Sequence, residues 1–379
     1  MELLQRTRFL RSLFTFERRV VLEDAPVEIR PCLFVETIGE REMNDLQAGG
    51  PGGDFCSTPD NRIEENKRFS YAVFLPGGTT RGDRAILLLH GLNERSWDKY
   101  LPWAEYLSLA TGKAVILFPI AFHMNRAPAC WRDPRALQPL VALRKQGGDG
   151  TRNSTFVNVA ISARLSAKPE RFYLSGRESL FNLWQLFSEI RDGRHSLFKE
   201  GASIDIFAYS IGALLAQVLL LSDPGRLTRD SRLFMFCGGA LFSYMDGSAR
   251  DIVDQEAYAR VRSFYTNEFL ATARGEGDRF EKAFKAMILP RVSRAYREAF
   301  FERASERVRV VTLKNDSVMP TPGAREAVGE RLAGSLVEEL DFPFPYSHQH
   351  PFPVNDRVDP GLVHRAFESL FQRVAGFLG

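Results

Sequence analysis

No stretch of this sequence approaches the length of uninterrupted apolar residues that a membrane-spanning helix needs, so an integral membrane protein is excluded as the default. Cysteine is scarce. The four residues Cys32, Cys56, Cys130 and Cys237 form no C-x-x-C pair and have no histidine at zinc-ligand spacing. That argues against a disulfide scaffold or a zinc module and leaves buried free thiols in a reducing, cytoplasmic compartment as the expectation. Charge of one sign is also lacking. Fifty basic against 47 acidic side chains leave +3, with no long Lys/Arg block, and nucleic acid is not an expected partner. The first 20 residues mix Arg with Leu and Phe and lack a small-residue cleavage site, which makes a poor signal peptide. Leu3, Leu10, Leu13 and Phe14 instead share one helical face, edged by Phe9 and Phe16. Such a face packs on its own protein or on a second copy of the chain, which leaves a homodimer open, or less readily on a membrane surface.

What is present is a rhythm. From residue 69 onward short apolar runs alternate with amphipathic stretches: 69–75, 84–90, 114–120, 203–210, 232–238, 307–313 and 335–342 read as strands. Several are continuously apolar, as strands covered on both faces are. Helices are expected in 98–112, which stops at Gly112, in 178–193, which stops at Gly193, directly after Ser210, and in 359–378, with Asp359 as cap and Pro360 in the first turn. This alternation predicts an α/β fold with a mainly parallel, doubly wound sheet. Two regions interrupt it. Residues 43–66 are rich in Gly, Pro, Asp and Asn and read as a surface loop. Residues 244–306 hold helical patterns without a clear strand and read as a helical insertion. The expected organisation is an N-terminal extension and loop packed on the core (1–66), a core (67–243 and 307–379) and a helical cap (244–306).

The segment SIDIFAYSIGALLAQVLLL carries the chemistry. A strand ends at Tyr209 and a helix begins after Ser210, with small residues, Ala208 and Gly212, two places to either side. A sharp strand-to-helix turn lifts the serine oxygen clear of the sheet, and close approach of its two arms demands small flanking residues. The helix start then aims N–H groups at the reaction centre. The competing reading is a serine that only caps the helix. Upstream, a strand ends in His90-Gly91-Leu92-Asn93. The amides of Ile211 and of Leu92 or Asn93 are the expected oxyanion donors, and loss of one such donor typically costs roughly 3 kcal/mol of barrier lowering. His90 itself reads as a buried structural residue.

The acid and base are sought later in the chain. Asp316 follows the 307–313 strand, where a carboxylate can orient an imidazole; Asp246 is the runner-up, and capping of the next helix is the bland alternative. The loop after the last strand offers His348 and His350. His350 precedes Pro351 and is confined to extended backbone; His348 is preferred for its YSH-Q-HPF context, which resembles the H-x-x-P-F signature that follows the final strand in a known family. His364 lies on the final helix, and His195 in a connection without an evident partner.

With Ser210, Asp316 and a late histidine in that order, and His90-Gly91 and Ala208-x-Ser210-x-Gly212 in place, residues 70–379 resemble the α/β-hydrolase superfamily. Ala208 departs mildly from the usual glycine. The segment AFHMNRAPACW (121–131) looks like a trait of a bacterial subfamily to which the resemblance attaches no substrate. The resemblance implies a serine hydrolase of carboxylesterase or lipase type, acting on a small-molecule acyl substrate through an acyl-enzyme, with no metal and no cofactor. The site is expected between strand ends and cap. Phe122, Phe242 and Tyr244 are candidate walls because each follows a strand end, and Arg126 is a candidate partner for a substrate carboxylate, set against a purely structural role. An acyltransferase, or a non-catalytic binding protein on the same fold, is the alternative.

Overall fold

The computed structural model describes residues 2–37, 58–271, 278–355 and 357–379. Cys56 and most of the expected 43–66 loop lie outside the described residues; within 58–66 the chain forms a short turn at Asp60–Arg62 and the start of a helix at Glu64.

The apolar runs form one nine-stranded sheet: β1 (Val20–Val21), β2 (Val27–Val35), β3 (Arg68–Pro76), β4 (Gly82–Leu89), β5 (Ala114–Leu117), β6 (Phe198–Tyr209), β7 (Leu233–Phe236), β8 (Val308–Leu313) and β9 (Val337–Leu340). The spatial order is β1-β2-β3-β5-β4-β6-β7-β8-β9. The first three strands and the β3–β5 junction pair antiparallel; every pairing from β5 through β4 to β9 is parallel. All seven expected strands are present. β1 and β2 extend the sheet at its antiparallel edge, so Val27–Val35, read as part of an extension, is an integral strand.

The continuous apolar runs follow from having both faces covered. On β4, Ala85, Leu87 and Leu89 enter one core while Ile86 and Leu88 enter the other. The first core is closed by the helices Arg171–Arg191 and Ile211–Ser222; the second by Leu3–Leu13, Leu101–Thr111 and Pro360–Leu378. The N-terminal helix buries Leu3, Thr7 and Leu10 and packs against Leu101–Thr111 and Pro360–Leu378, so its apolar face is used within the chain. Gly112 ends its helix in the left-handed conformation (φ 65°). Asp359 caps the last helix by accepting from the Gly361 amide. Among the described residues no helix is long and apolar enough to cross a membrane.

Helical segments enter the chain at two places. Residues 244–306 hold helices Gln255–Ser263, Arg279–Ala286 and Arg294–Arg303. The 80 residues from 118 to 197, between β5 and β6, add Pro134–Lys145 and Val159–Ala167 to the anticipated long helix. Val159–Ala167 packs against Gln255–Ser263, so the two segments meet. Arg144 joins them, bonding Asp254 and Glu256, and Ser154 donates to Asp254 at 2.7 Å. Three cysteines are described, all as free thiols: Cys237 is buried, Cys32 half-buried and Cys130 exposed, against the expectation of buried thiols throughout.

Candidate active site

Strand β6 ends at Tyr209 and the helix Ile211–Ser222 starts one residue later, leaving Ser210 alone at the turn with φ 57° and ψ −126°. A side chain is strained in that conformation. The surroundings enforce it. A Cβ at Gly212 would stand 2.7 Å from the His90 carbonyl oxygen and 2.8 Å from that of Leu89, and one at Gly238 would stand 2.5 Å from the Ala213 Cβ. The turn therefore exists only because its neighbours lack side chains.

Ser210 Oγ lies 2.7 Å from His348 Nε2, and His348 Nδ1 lies 2.7 Å from Asp316 Oδ2. All three residues are 4 % exposed. Asp316 is held on its other oxygen, where Oδ1 accepts from the amides of Val318 and Met319, both at 2.9 Å. The carboxylate is thus fixed by its own loop and has one oxygen left for the imidazole. Ser210 makes no side-chain cap of its helix. Asp316 makes the bonds of the bland alternative, an Asx-turn, and meets the imidazole as well. The loop carrying His348 is keyed to β6: the Tyr209 hydroxyl donates to the His348 carbonyl, and the two rings stack 5.6 Å apart at 20°. No hydrogen bond joins His350 to Ser210 or Asp316 among the described residues. His350 closes a tight turn with Ser347 and lines an outer groove with Lys99, Glu94 and residues of the N-terminal helix. Asp246 is exposed and only caps the Ser248 amide.

The loop after β4 is anchored from three sides. The Tyr100 hydroxyl accepts from the Gly91 amide at 3.0 Å and donates to Glu94 at 2.7 Å, and Glu94 also pairs with Lys99. Asn93, at φ 60°, sends its side-chain amide to the carbonyls of Val157 and Asp251, both at 3.0 Å, tying this loop to both helical segments. Among the described residues no hydrogen bond uses the backbone amides of Leu92, Asn93 or Ile211. These were the expected oxyanion donors.

His90 is structural, as expected: fully buried, with Nδ1 on the Gly91 carbonyl and Nε2 accepting the Ile120 amide at 2.9 Å. Burial pushes its pKa well below the usual histidine value. His123 is similar, pushed down to about 4 by burial. Its Nδ1 meets the Ala121 carbonyl at 2.9 Å, while Nε2 is buried without a partner among the described residues. His195 does have a partner, the Tyr71 hydroxyl at 2.5 Å.

Two cavities adjoin the loop after β4, one of them also the start of the Ile211–Ser222 helix; Ser210 and His348 line neither. One, about 700 Å³ including its mouth, runs from Leu92, Asn93 and His123 to Phe122, Trp131 and Ile161. The other, about 540 Å³, passes Ile211, Leu214, Leu215 and Leu180. Leu92, His123 and Phe172 belong to both. Of the four expected pocket residues, three walls and Arg126, Phe122 lines the first cavity. The other three are corrected. Phe242 points into the helical core against Phe172 and Tyr265. Tyr244 stands partly exposed beside Gly323. Arg126 is fully buried and consumed by the Pro119 and Asn66 carbonyls and Asn182, over the Phe69 ring at 4.1 Å. Following a strand end fixes a residue's address and leaves its side-chain direction open. Trp131, Ile161 and Phe172 were not anticipated, because they come from the helical segment between β5 and β6. Among the described residues no cluster of three or more His, Cys, Asp or Glu could hold a metal ion.

A family profile matches residues 40–379. The chain belongs to the family described as Family of unknown function (DUF6051). No curated protein matches the sequence. Among solved structures the chain is similar to esterase Est22 (12 % identity, TM-score 0.48, covering 99 % of this chain and 86 % of that one). It is also similar to brefeldin A esterase, a bacterial homologue of human hormone-sensitive lipase (14 %, 0.46, 99 % and 84 %). A third similar structure is a hyperthermophilic esterase from the archaeon Pyrobaculum calidifontis (11 %, 0.42, 98 % and 90 %). Likenesses this distant transfer no residue role and no activity. The nine-stranded, mainly parallel sheet of this DUF6051 member, flanked by helices on both faces, is an α/β-hydrolase fold.

Proposed function

We propose that this DUF6051 member is a serine hydrolase that cleaves a carboxylic ester through an acyl-enzyme, with Ser210 as nucleophile, His348 as base and Asp316 as the orienting acid. The observation that carries the reading is the unbroken line from Ser210 Oγ to His348 Nε2 and from His348 Nδ1 to Asp316 Oδ2, each step 2.7 Å. His348 Nε2 takes the Ser210 proton as Oγ attacks the carbonyl carbon. Asp316 keeps Nδ1 protonated and stabilises the imidazolium. The oxyanion is received by the amides of Ile211 and of Leu92 or Asn93, at the positive end of the Ile211–Ser222 helix. His348 returns the proton to the departing alcohol. Water, deprotonated by the same nitrogen, then attacks the acyl-enzyme and releases the acid and the free serine.

The helices of 244–306 act as a cap over this centre together with those of 118–197, which they contact. The second cavity is lined mainly by apolar side chains and suits an apolar chain of the ester.

A fluorophosphonate probe and a panel of esters of graded chain length test the assignment. Wild type is labelled and turns over at least one ester, while Ser210→Ala does neither. Folded wild type that resists the probe and leaves every ester intact overturns it.

A further inference from the structure

The larger cavity is unusual in its charge. Arg95, Arg132, Arg164 and Arg171 all line it, interleaved with the rings of Phe122, Trp131 and Phe172. The carboxylate among its lining residues is Glu94, which is already held by Lys99 and the Tyr100 hydroxyl. Behind the wall Asp60 pairs with two of the arginines, at 2.7 Å from Arg164 and 2.9 Å from Arg171. The other two have no ion pair among the described residues. Arg95 spends one N–H on the Arg132 carbonyl at 2.7 Å, and the neighbouring Arg132 charge adds to burial in lowering its pKa. Arg171 is 4 % exposed, and its Nη2 is a buried donor with no acceptor among the described residues. The Arg164 guanidinium lies over the Trp131 ring at 4.2 Å, a flat cationic surface bordering an apolar one.

Positive charge gathered in a concave, partly dry, aromatic-walled space is unfavourable until an anion enters. Guanidinium groups meet carboxylates with paired N–H bonds that an ammonium could not reproduce. The cavity reaches Leu92 and Asn93, the loop from which the oxyanion donors come. We infer that the cavity binds an ionised acid group on an apolar stem, so that the substrate is an ester carrying a second, negatively charged group. Arg95 and Arg132 receive the anion, and Phe122, Trp131 and Phe172 cover its stem. This substrate class rests on the hydrolase reading above; the anion site itself does not.

Two pairs of esters matched in length measure the turnover side at low ionic strength: monomethyl adipate against methyl hexanoate, with the acid on the acyl half, and 6-acetoxyhexanoate against hexyl acetate, with it on the alcohol half. In wild type the charged member of at least one pair has kcat/KM higher by about tenfold or more, and salt erodes the advantage. In Arg95→Gln and Arg132→Gln the charged-to-neutral ratio falls toward one; a purely structural role would lower both esters and leave the ratio alone. Ratios at or below one for both pairs in wild type, or a ratio that survives in both folded variants, overturn the substrate class. Calorimetric titration of Ser210→Ala with monomethyl adipate and with methyl hexanoate measures the site without turnover. Tighter binding of the charged ester, lost when Arg95→Gln is added, is expected. Equal binding of the two esters overturns the anion site. Tight monomethyl adipate binding by a protein that cleaves no ester and takes no fluorophosphonate keeps the anion site and discards the hydrolase.

Discussion

The two sides of the candidate site are built differently. On the sheet side, Ser210, His348 and Asp316 stand on a strand end and two short loops, and their hydrogen bonds run in one closed line. On the helical side, His123 Nε2 and Arg171 Nη2 are buried without partners among the described residues, while half-buried Arg95 and exposed Arg132 meet solvent and have no carboxylate partner among them. A buried polar group left unsatisfied costs about 1–3 kcal/mol, and more if charged. The contrast therefore separates groups whose geometry is complete before substrate arrives from groups that a ligand must complete.

The sharpest way to break this comparison is at the sheet side. Ser210→Ala and His348→Ala should each lower kcat for any cleaved ester by something on the order of 10⁶, without adding when combined, because the residues act as a unit. His350→Ala, outside the line, should lose less than about tenfold; steady-state rates on one good ester compare all three. Asp316→Asn keeps the shape while removing the charge behind His348, and a drop of about 10⁴-fold in kcat is expected. At the helical side the largest effect should be on stability. Asp60→Ala leaves Arg164 and Arg171 buried without their carboxylate, and denaturant unfolding should show a loss of about 3–5 kcal/mol. A smaller effect concerns acid. His195, pushed down to about 4 by burial, is neutral in the fold, while the unfolded chain takes up the proton near the ordinary histidine value. Stability should be fully present above about pH 6.5 and fall as pH drops toward 4, by at most on the order of 3 kcal/mol for this residue. His195→Gln should flatten the melting-temperature profile across that window; an unchanged slope would mean that burial does not hold the imidazole neutral.

The sequence was most legible where one strong physical demand acts locally. Strands buried on both faces must be apolar throughout, and seven of nine were readable on that ground. β1 is two residues long, and β2 carries Glu28, Arg30 and Pro31 at a sheet edge, so neither satisfies the pattern. The helices Pro134–Lys145 and Val159–Ala167 were missed for a related reason. The first carries Pro139 inside it, and the second buries nearly all its residues, so neither shows a clean amphipathic stripe. In the site, steric demand made Ser210 and Gly212 visible and chain order pointed to Asp316. The choice between His348 and His350 turns on which way a six-residue stretch from Tyr346 to Pro351 folds back on Tyr209, a contact 139 positions distant. The arginine-lined cavity was out of reach altogether, since its residues come from β4's loop and three separate stretches beyond β5, and only the folded chain brings Asp60 beneath two of them.

The backbone at Ser210 has a consequence for how such a chain can drift. A non-glycine residue held at φ 57° and ψ −126° keeps the native state about 1–3 kcal/mol less stable than it would otherwise be. Ser210→Gly removes that burden together with the hydroxyl, so the inert protein should melt at a higher temperature than the active one. Descendants released from selection for chemistry would gain robustness by a single substitution at this turn.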